Sequence, residues 1–550
     1  MAGVLAALGP LVVSDLAPAQ GVVASVSPAA NQVGRDTLGK GSNAVDAAVA
    51  VGFALAVAWP EAGNIGGGGF MLVRPAGKDA QPVVIDYRET APAKATADLF
   101  VKNARKPHLT VGVPGSVAGM YLAHQKFGKL PWKDLVAPAV KLAEDGVVVD
   151  AALARSLNSG LARRGVSAEM RRLYGKGAGK GKWQAGDRLV QKDLARTLRR
   201  VADKGPDGFY KGETAALLVK EMKAGGGLIT QADLDAYRAV ARKPVHGRYR
   251  GHDVYGPPPP SGGGICLVEM LNVLEPFDLR KRGRFAAENL HLMVEAMRRA
   301  YCDRARWLGD PDFVKVPAQL TTREHAKKLA SGIDPARASR SEEVGKDIPL
   351  SSEGPSTTHY SIIDAGGMAV STTTTLEDSF GAKVAVSGAG FLLNNEMTDF
   401  NTQPGVTTRR GRIGTAANQI APGKRMLSSM TPVVVVKDGK VVLVTGSPGG
   451  RTITNTVLCV VLNVVEFGMT ARQAVDAPRL HHQWFPDVVQ VEQVLAEKYP
   501  EEVKKLEKMG HRVVKVRLQG DAHSVWLDPK TGRYEGAVDP RRQGRPAPFR

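Results

Sequence analysis

A chain of 550 residues, 43% hydrophobic and 6% aromatic, carries enough apolar side chains for one large core or two fused ones. Its three cysteines, Cys266, Cys302 and Cys459, are too few for a disulfide framework, read as buried small hydrophobes, and leave at least one thiol free. The formal net charge of +20 comes without aromatic interleaving, a zinc-finger pattern or a helix-turn-helix signature, which argues against nucleic acid as partner and for a solubilising basic surface that attracts anionic envelope components.

In chain order, Ala2 to Val13 is a short apolar run followed by Ala17-Pro18-Ala19, the pattern of a secretory leader's core and cleavage site without its basic n-region. Residues 1–20 are therefore expected to be a leader and the protein to be periplasmic or secreted. No stretch of about 20 apolar residues occurs, so no membrane span is expected. Ala44 to Trp59 is apolar but for Asp46 and predicts a core helix. Gly175 to Gly181 alternates glycine with lysine and reads as a surface loop, since no G-x-x-x-x-G-K-[ST] phosphate cradle is present. Tyr255 to Gly264 predicts an internal loop, stiff over its prolines and flexible over its glycines. Lys328 to Ser356 is polar and turn-rich, as suits a segment that is released or moves. No internal repeat is present.

The junction after this segment is the most informative part of the chain. Glu353-Gly354-Pro355-Ser356 reads as a loop, and Thr357 to Asp364 as a strand. A threonine hydroxyl is a weak nucleophile unless a base lies beside it, and cutting the chain before Thr357 would make its own α-amine that base. On these residues alone, an ordinary Thr-rich strand start competes with a self-cleavage site between Ser356 and Thr357. A second run of β-formers, Met368 to Thr375, follows Ala365-Gly366-Gly367 and predicts a hairpin. With a three-residue loop Asp364 faces Met368, and Thr357 falls opposite Thr375. Directly opposed residues hold their Cβ atoms roughly 4.5–5.5 Å apart. A two-residue loop would shift the register by one and turn the wrong side chain over.

Further on, Val441 to Thr445 predicts a strand that ends in Gly446-Ser447-Pro448-Gly449-Gly450, ahead of an apolar helix-like run from Thr456 to Phe467. Glycines between a strand and a helix leave N–H groups open to an anion, although a plain strand–helix turn has the same composition. His481-His482 reads as a structural pair near a strand end. No Cys/His cluster has metal-ligand spacing, so neither metal nor cofactor is expected. Asp528 to Gly532 predicts a hairpin turn.

Taken together, these stretches resemble the γ-glutamyltransferase (γ-glutamyl transpeptidase) family of the N-terminal-nucleophile hydrolases. The resemblance rests on Gly41 to Ala48, Gly63 to Phe70, Asp86 to Glu89, Gly112 to Ser116, Leu308 to Pro311 and Thr357 to Ser361. It continues through Leu393 to Met397, Leu427 to Met430, Gly446 to Gly450 and Ala477 to Arg479, in the family's order. It implies an α+β fold, a four-layer α/β/β/α sandwich built by both fragments of a self-cleaved precursor. Residues 21–356 would form the large fragment and 357–550 the small one, associated as a heterodimer.

The same resemblance implies roles. Thr357 matches the nucleophile, Ser356 the residue before the scissile bond, and Thr375 the threonine that supports Thr357. Gly449 and Gly450 match the oxyanion-hole glycines. Arg88, helped by Ser428 and Ser429, matches the group that grips the substrate's α-carboxylate, and Glu396 and Asp399 match the acceptors for its α-amino group. Glu377 stands where better-known members carry asparagine: it either adds negative charge beside the substrate's ammonium or turns to solvent. Pro404 to Arg425 has the length of the family's lid loop, but Arg410 stands where a lid tyrosine is expected. The run Thr407 to Arg412 thus suggests a loose cover or a preference for acidic partners.

The implied activity is transfer of a γ-glutamyl group from glutathione or another γ-glutamyl donor to water, amino acids or dipeptides. An amidase of poly-γ-glutamate or of glutaryl-type β-lactam side chains is the alternative, and retention of Arg88 with Glu396 and Asp399 favours the first, because a glutaryl group has no ammonium. A catalytically dead envelope-binding protein would require loss of Thr357 or the glycine pair.

Overall fold

The computed structural model describes residues 21–103, 105–177, 181–348, 351–352 and 358–542, so Ser356, Thr357 and the expected leader lie outside it. The Thr-rich hairpin forms as expected. Strands Thr358–Ile363 and Ala369–Thr375 pair antiparallel with Thr358 opposite Thr374 and Ile363 opposite Ala369. Asp364 N donates to Met368 O at 3.0 Å, and Gly367 closes the turn with a φ of +85°. The three-residue loop sets the register.

That hairpin lies inside an antiparallel six-stranded sheet of order Val22–Ser25, Thr358–Ile363, Ala369–Thr375, Gly68–Arg74, Val83–Asp86, Val240–Arg242. A second six-stranded sheet runs Tyr534–Val538, His523–Leu527, Lys440–Thr445, Val433–Lys437, His252–Gly256, Val245–Tyr249. Both sheets mix strands from before and after position 357.

Side chains alternate across the hairpin. Ser361 and Ser371 point toward the second sheet, where their hydroxyls donate to His523 O at 2.9 Å and Thr445 O at 3.0 Å. Tyr360, Ile362 and Val370 point the other way, into a core shared with helix Ala44–Ala58. Every residue of that helix is buried, as expected of a segment that is apolar all round. Asp46, the one charge in its sequence, closes a capping box with Asn43 and accepts from Lys129 N at 3.0 Å. A second core joins Phe70, Leu72 and Ile363 to the other sheet and to helices Gly263–Leu274, Ala287–Trp307 and Ile453–Val465.

The flexible tail expected for the Tyr255 to Gly264 loop is a correction. Gly263 and Gly264 are the buried first turn of helix Gly263–Leu274. A Cβ on Gly263 would lie 2.2 Å from Thr431 Oγ1, and one on Gly264 2.2 Å from Pro257 O. The glycines serve close packing rather than motion. Part of the Gly175 to Gly181 loop lies outside the described residues. All three cysteines are free and buried, strands His523–Leu527 and Tyr534–Val538 flank the turn at Asp528, and no described helix is long and apolar enough to cross a membrane.

Candidate active site

Strand Val83–Asp86 runs straight into Arg88, which is 1% exposed. An uncompensated guanidinium at that depth is costly, so its partners are informative. Nη1 lies 2.5 Å from Glu396 Oε2 and 3.5 Å from Glu89 Oε2, Nη2 lies 2.5 Å from Asp399 Oδ2, and Nε donates to Met426 O at 3.2 Å. Burial opposes the charge on Arg88, but Glu396, Asp399 and Glu89 outweigh it and hold the guanidinium protonated.

The acids outnumber this cation. Burial pushes the Glu89 carboxyl up to about 8 despite Arg88. Burial also drives Glu396 well above the usual carboxylate range, with Arg88 pulling it back. Glu377 is raised in the same way, by burial and then by Asp399, Asp378 and Glu396. It is buried at a φ of +76° and accepts from Asn395 Nδ2, so the solvent-facing alternative is not what forms.

Two asparagines, which the sequence presents only as parts of longer motifs, assemble the site. Asn394 donates to Gly66 O at 2.9 Å and Gly112 O at 2.8 Å, and its Oδ1 accepts from Gly112 N and Glu396 N. Asn64 donates to Thr375 O at 2.8 Å and accepts from Gly67 N and the Ser116 hydroxyl. Motifs scattered over more than 300 residues of sequence thus meet through these side chains. Thr375 Oγ1 accepts from Glu377 N at 2.7 Å, which sets the turn that buries Glu377.

Ser428 and Ser429 are positioned by the proline-glycine loop. Ser428 N donates to Pro260 O at 2.8 Å, Gly262 N donates to Ser428 O at 2.9 Å, and Ser429 Oγ accepts from Arg304 Nη2 at 2.9 Å. Strand Lys440–Thr445 leads to Gly449 (φ +134°) and Gly450 (φ +57°), ahead of helix Ile453–Val465. Both angles lie in the region that favours glycine.

One cavity of about 300 Å³ brings Arg88, Thr375, Glu377, Asp399, Ser428, Ser429 and Gly450 together. Glu396 reaches it through its contact with Arg88, and Gly449 lies next to the lining. Arg105, Arg304, Arg412 and Arg451 also line the cavity, making it acidic at one side and basic at another. Sequence reasoning missed Arg105, Arg304 and Arg451, which lie outside any motif role. Of the lid arginines only Arg412 reaches the cavity. Arg409 is exposed and ion-paired with Glu342, and Arg410 is exposed and off the lining. His481 and His482 form structural hydrogen bonds, to Asn455 at 2.7 Å and Asp487 at 3.1 Å.

A mixed α/β fold surrounds this charge-lined cavity. The family model for gamma-glutamyltranspeptidase matches residues 30–549, and the chain belongs to that family. It is 48% identical over 533 residues to the glutathione hydrolase proenzyme of Escherichia coli (strain K12), spanning 95% of this chain and 90% of that one. Among solved structures it resembles cephalosporin acylase from Bacillus halodurans, with a TM-score of 0.82, 26% identity, and coverage of 95% of this chain and 94% of the other. Helicobacter pylori gamma-glutamyltranspeptidase matches with a TM-score of 0.56 and 41% identity over 60% of this chain and 95% of its own. The protein is accordingly an acyltransferase and amide hydrolase that acts on γ-glutamyl groups.

Proposed function

We propose that the chain is a proenzyme that cuts itself between Ser356 and Thr357, and that Thr357 then carries the γ-glutamyl group of glutathione or a similar donor. The observation that carries this reading is the hairpin register. Thr358, the first described residue after the expected cleavage site, pairs with Thr374, and the next residue along that strand, Thr375, lines the cavity with Arg88.

In maturation the Thr357 hydroxyl attacks the Ser356 carbonyl carbon, and the acyl group moves from nitrogen to oxygen. Water hydrolyses that ester, leaving a carboxylate on Ser356 and a free α-amine on Thr357. In turnover the α-amine takes the hydroxyl proton as Oγ attacks the γ-glutamyl carbonyl. The N–H groups of Gly449 and Gly450 receive the negative charge that develops on the carbonyl oxygen. The leaving amine departs with a proton, and the ester passes its acyl group to water, an amino acid or a dipeptide. Arg88, Ser428 and Ser429 hold the substrate's α-carboxylate, while Glu396, Asp399 and Glu377 receive its ammonium. This chemistry requires no cofactor.

The two sheets, with helices on their outer faces, support a four-layer α/β/β/α sandwich of the N-terminal-nucleophile type. Because each sheet draws strands from both sides of position 357, the fragments 21–356 and 357–550 stay together as one intertwined heterodimer. Residues 1–20 direct export to the periplasm or medium. The likeness to cephalosporin acylase raises an acylase reading. The buried acids beside Arg88 weigh against it, since a glutaryl side chain has no ammonium to satisfy them.

Turnover of a γ-glutamyl anilide, with and without a dipeptide acceptor, tests the reading. Release of the aniline that accelerates with dipeptide supports it. Equal turnover of a glutaryl anilide would favour the acylase.

A further inference from the structure

Away from the cavity, three helices bring together side chains that are far apart in sequence: Glu269 from Gly263–Leu274, Asp303 from Ala287–Trp307 and His325 from Arg323–Ser331. One ligand atom from each lies within 4.8 Å of the other two. Asp303 Oδ2 is 2.8 Å from His325 Nε2, and Asp303 Oδ1 is 2.5 Å from Arg306 Nη1. Arg306 is also committed to Asp347, at 2.8 and 2.6 Å. Glu269 is 1% exposed, and neither of its carboxylate oxygens has a hydrogen-bond partner.

A carboxylate buried beside another acid and left without a donor is costly, and either a proton or a cation relieves it. The other buried cluster, His291, Glu295 and His511, differs in kind. Arg298 and Arg299 already neutralise Glu295, and the two imidazoles bond each other at 2.7 Å. Glu295 is thus already matched by two guanidiniums, whereas Glu269 has no partner on either oxygen and the nearby Arg306 is shared between Asp303 and Asp347.

We propose that Glu269, Asp303 and His325 form a divalent-metal site whose occupant is Zn²⁺. One imidazole nitrogen and two carboxylates suit zinc, which accepts three protein ligands and a water. Calcium would need six to eight oxygens, which a corner this closed does not offer. His325, with 19% of its side chain exposed, provides the entry side. His325 would bind zinc through Nε2 as the neutral tautomer that carries its proton on Nδ1. The ion would pin together three helices at Asp303, next in sequence to Arg304, which lines the substrate cavity and bonds Ser429.

The test uses the full-length protein, stripped with chelator, desalted and titrated with ZnCl₂ by calorimetry, with elemental analysis after gel filtration. The expected result is one zinc per chain and a higher melting temperature with zinc. Glu269→Gln should weaken binding by at least about 10-fold, since even supporting residues of metal sites are worth that much. It should also melt no lower than the unsubstituted protein in chelator, because it removes a buried acid without changing shape. His325→Gln should weaken binding as well. Absence of stoichiometric zinc in the unsubstituted protein, or unchanged binding in both variants, would overturn the assignment.

Discussion

Arg88 and Glu396, which the family resemblance assigns to opposite charges of the substrate, are bonded to each other at 2.5 Å in the protein itself. If these residues hold the substrate as proposed, a γ-amide with its own carboxylate and ammonium would exchange this internal pair for two intermolecular ones. The exchange conserves charge inside a buried site, where an unmatched ion is penalised. On the same proposal, the excess of carboxylates beside one guanidinium would be matched by a second cation that arrives with the substrate.

Arg88→Lys should therefore impair γ-glutamyl turnover strongly. An ammonium reproduces neither the paired grip on a carboxylate nor the simultaneous contacts to Glu396 and Asp399. The loss should correspond to about 1.5–3 kcal/mol, the scale of a charge-assisted hydrogen bond. Unchanged kcat/KM would remove Arg88 from substrate recognition.

Glu89 makes stability depend on pH. Its carboxyl is raised to about 8 in the folded protein, above the ordinary value of about 4.3 in an unfolded chain. The folded state thus binds the proton more tightly. The stability it contributes is complete below the unfolded value and is lost as pH rises toward 8. Melting curves of the parent and Glu89→Gln, measured side by side from pH 5 to pH 8, should show the steeper decline in the parent. Parallel declines would contradict the burial argument.

The lid arginines should separate from one another. Arg412 lines the cavity, whereas Arg409 and Arg410 do not. Arg412→Gln should alter the preference among acceptors, most visibly for acidic ones, and leave γ-glutamyl hydrolysis largely intact. Arg409→Gln and Arg410→Gln should change either property little, because an exposed ion pair such as Arg409–Glu342 contributes about 0–1 kcal/mol. Loss of hydrolysis in the Arg412 variant would place that residue in the catalytic machinery.

Gly450→Ala keeps the backbone N–H but puts a Cβ on a residue with a φ of +57°, so it should shift that N–H away from the developing oxyanion and lower kcat, by up to the roughly 10²-fold scale of one lost donor. At Gly449 an added Cβ would lie 2.5 Å from Thr452 Oγ1 and disturb the local packing as well. A drop confined to KM would argue against the oxyanion role.

Much of the fold was legible because its signals are local. The Thr-rich hairpin follows from β-formers on either side of Ala365-Gly366-Gly367, and helix Ala44–Ala58 from continuous apolarity. The environment of Arg88 was not legible from local pattern, since an arginine at a strand end is usually solvated. Its partners Glu396 and Asp399 lie some 300 positions away, and only the family resemblance connected them. Glu377 could not be placed because its burial depends on a positive-φ turn held by Thr375 and Asn395. The glycines after Pro260 were misread because composition cannot distinguish a flexible loop from a tightly packed helix start. For the same reason Glu269, Asp303 and His325, with no motif spacing, were invisible as a group.

The central claim is that Thr357 creates its own active site. Mass spectrometry and N-terminal sequencing of protein purified without added protease measure this directly. The account predicts two co-purifying fragments, the smaller beginning at Thr357, and an uncut, inactive chain for Thr357→Ala. A full-length active parent, or cleavage at the same bond in Thr357→Ala, would contradict it.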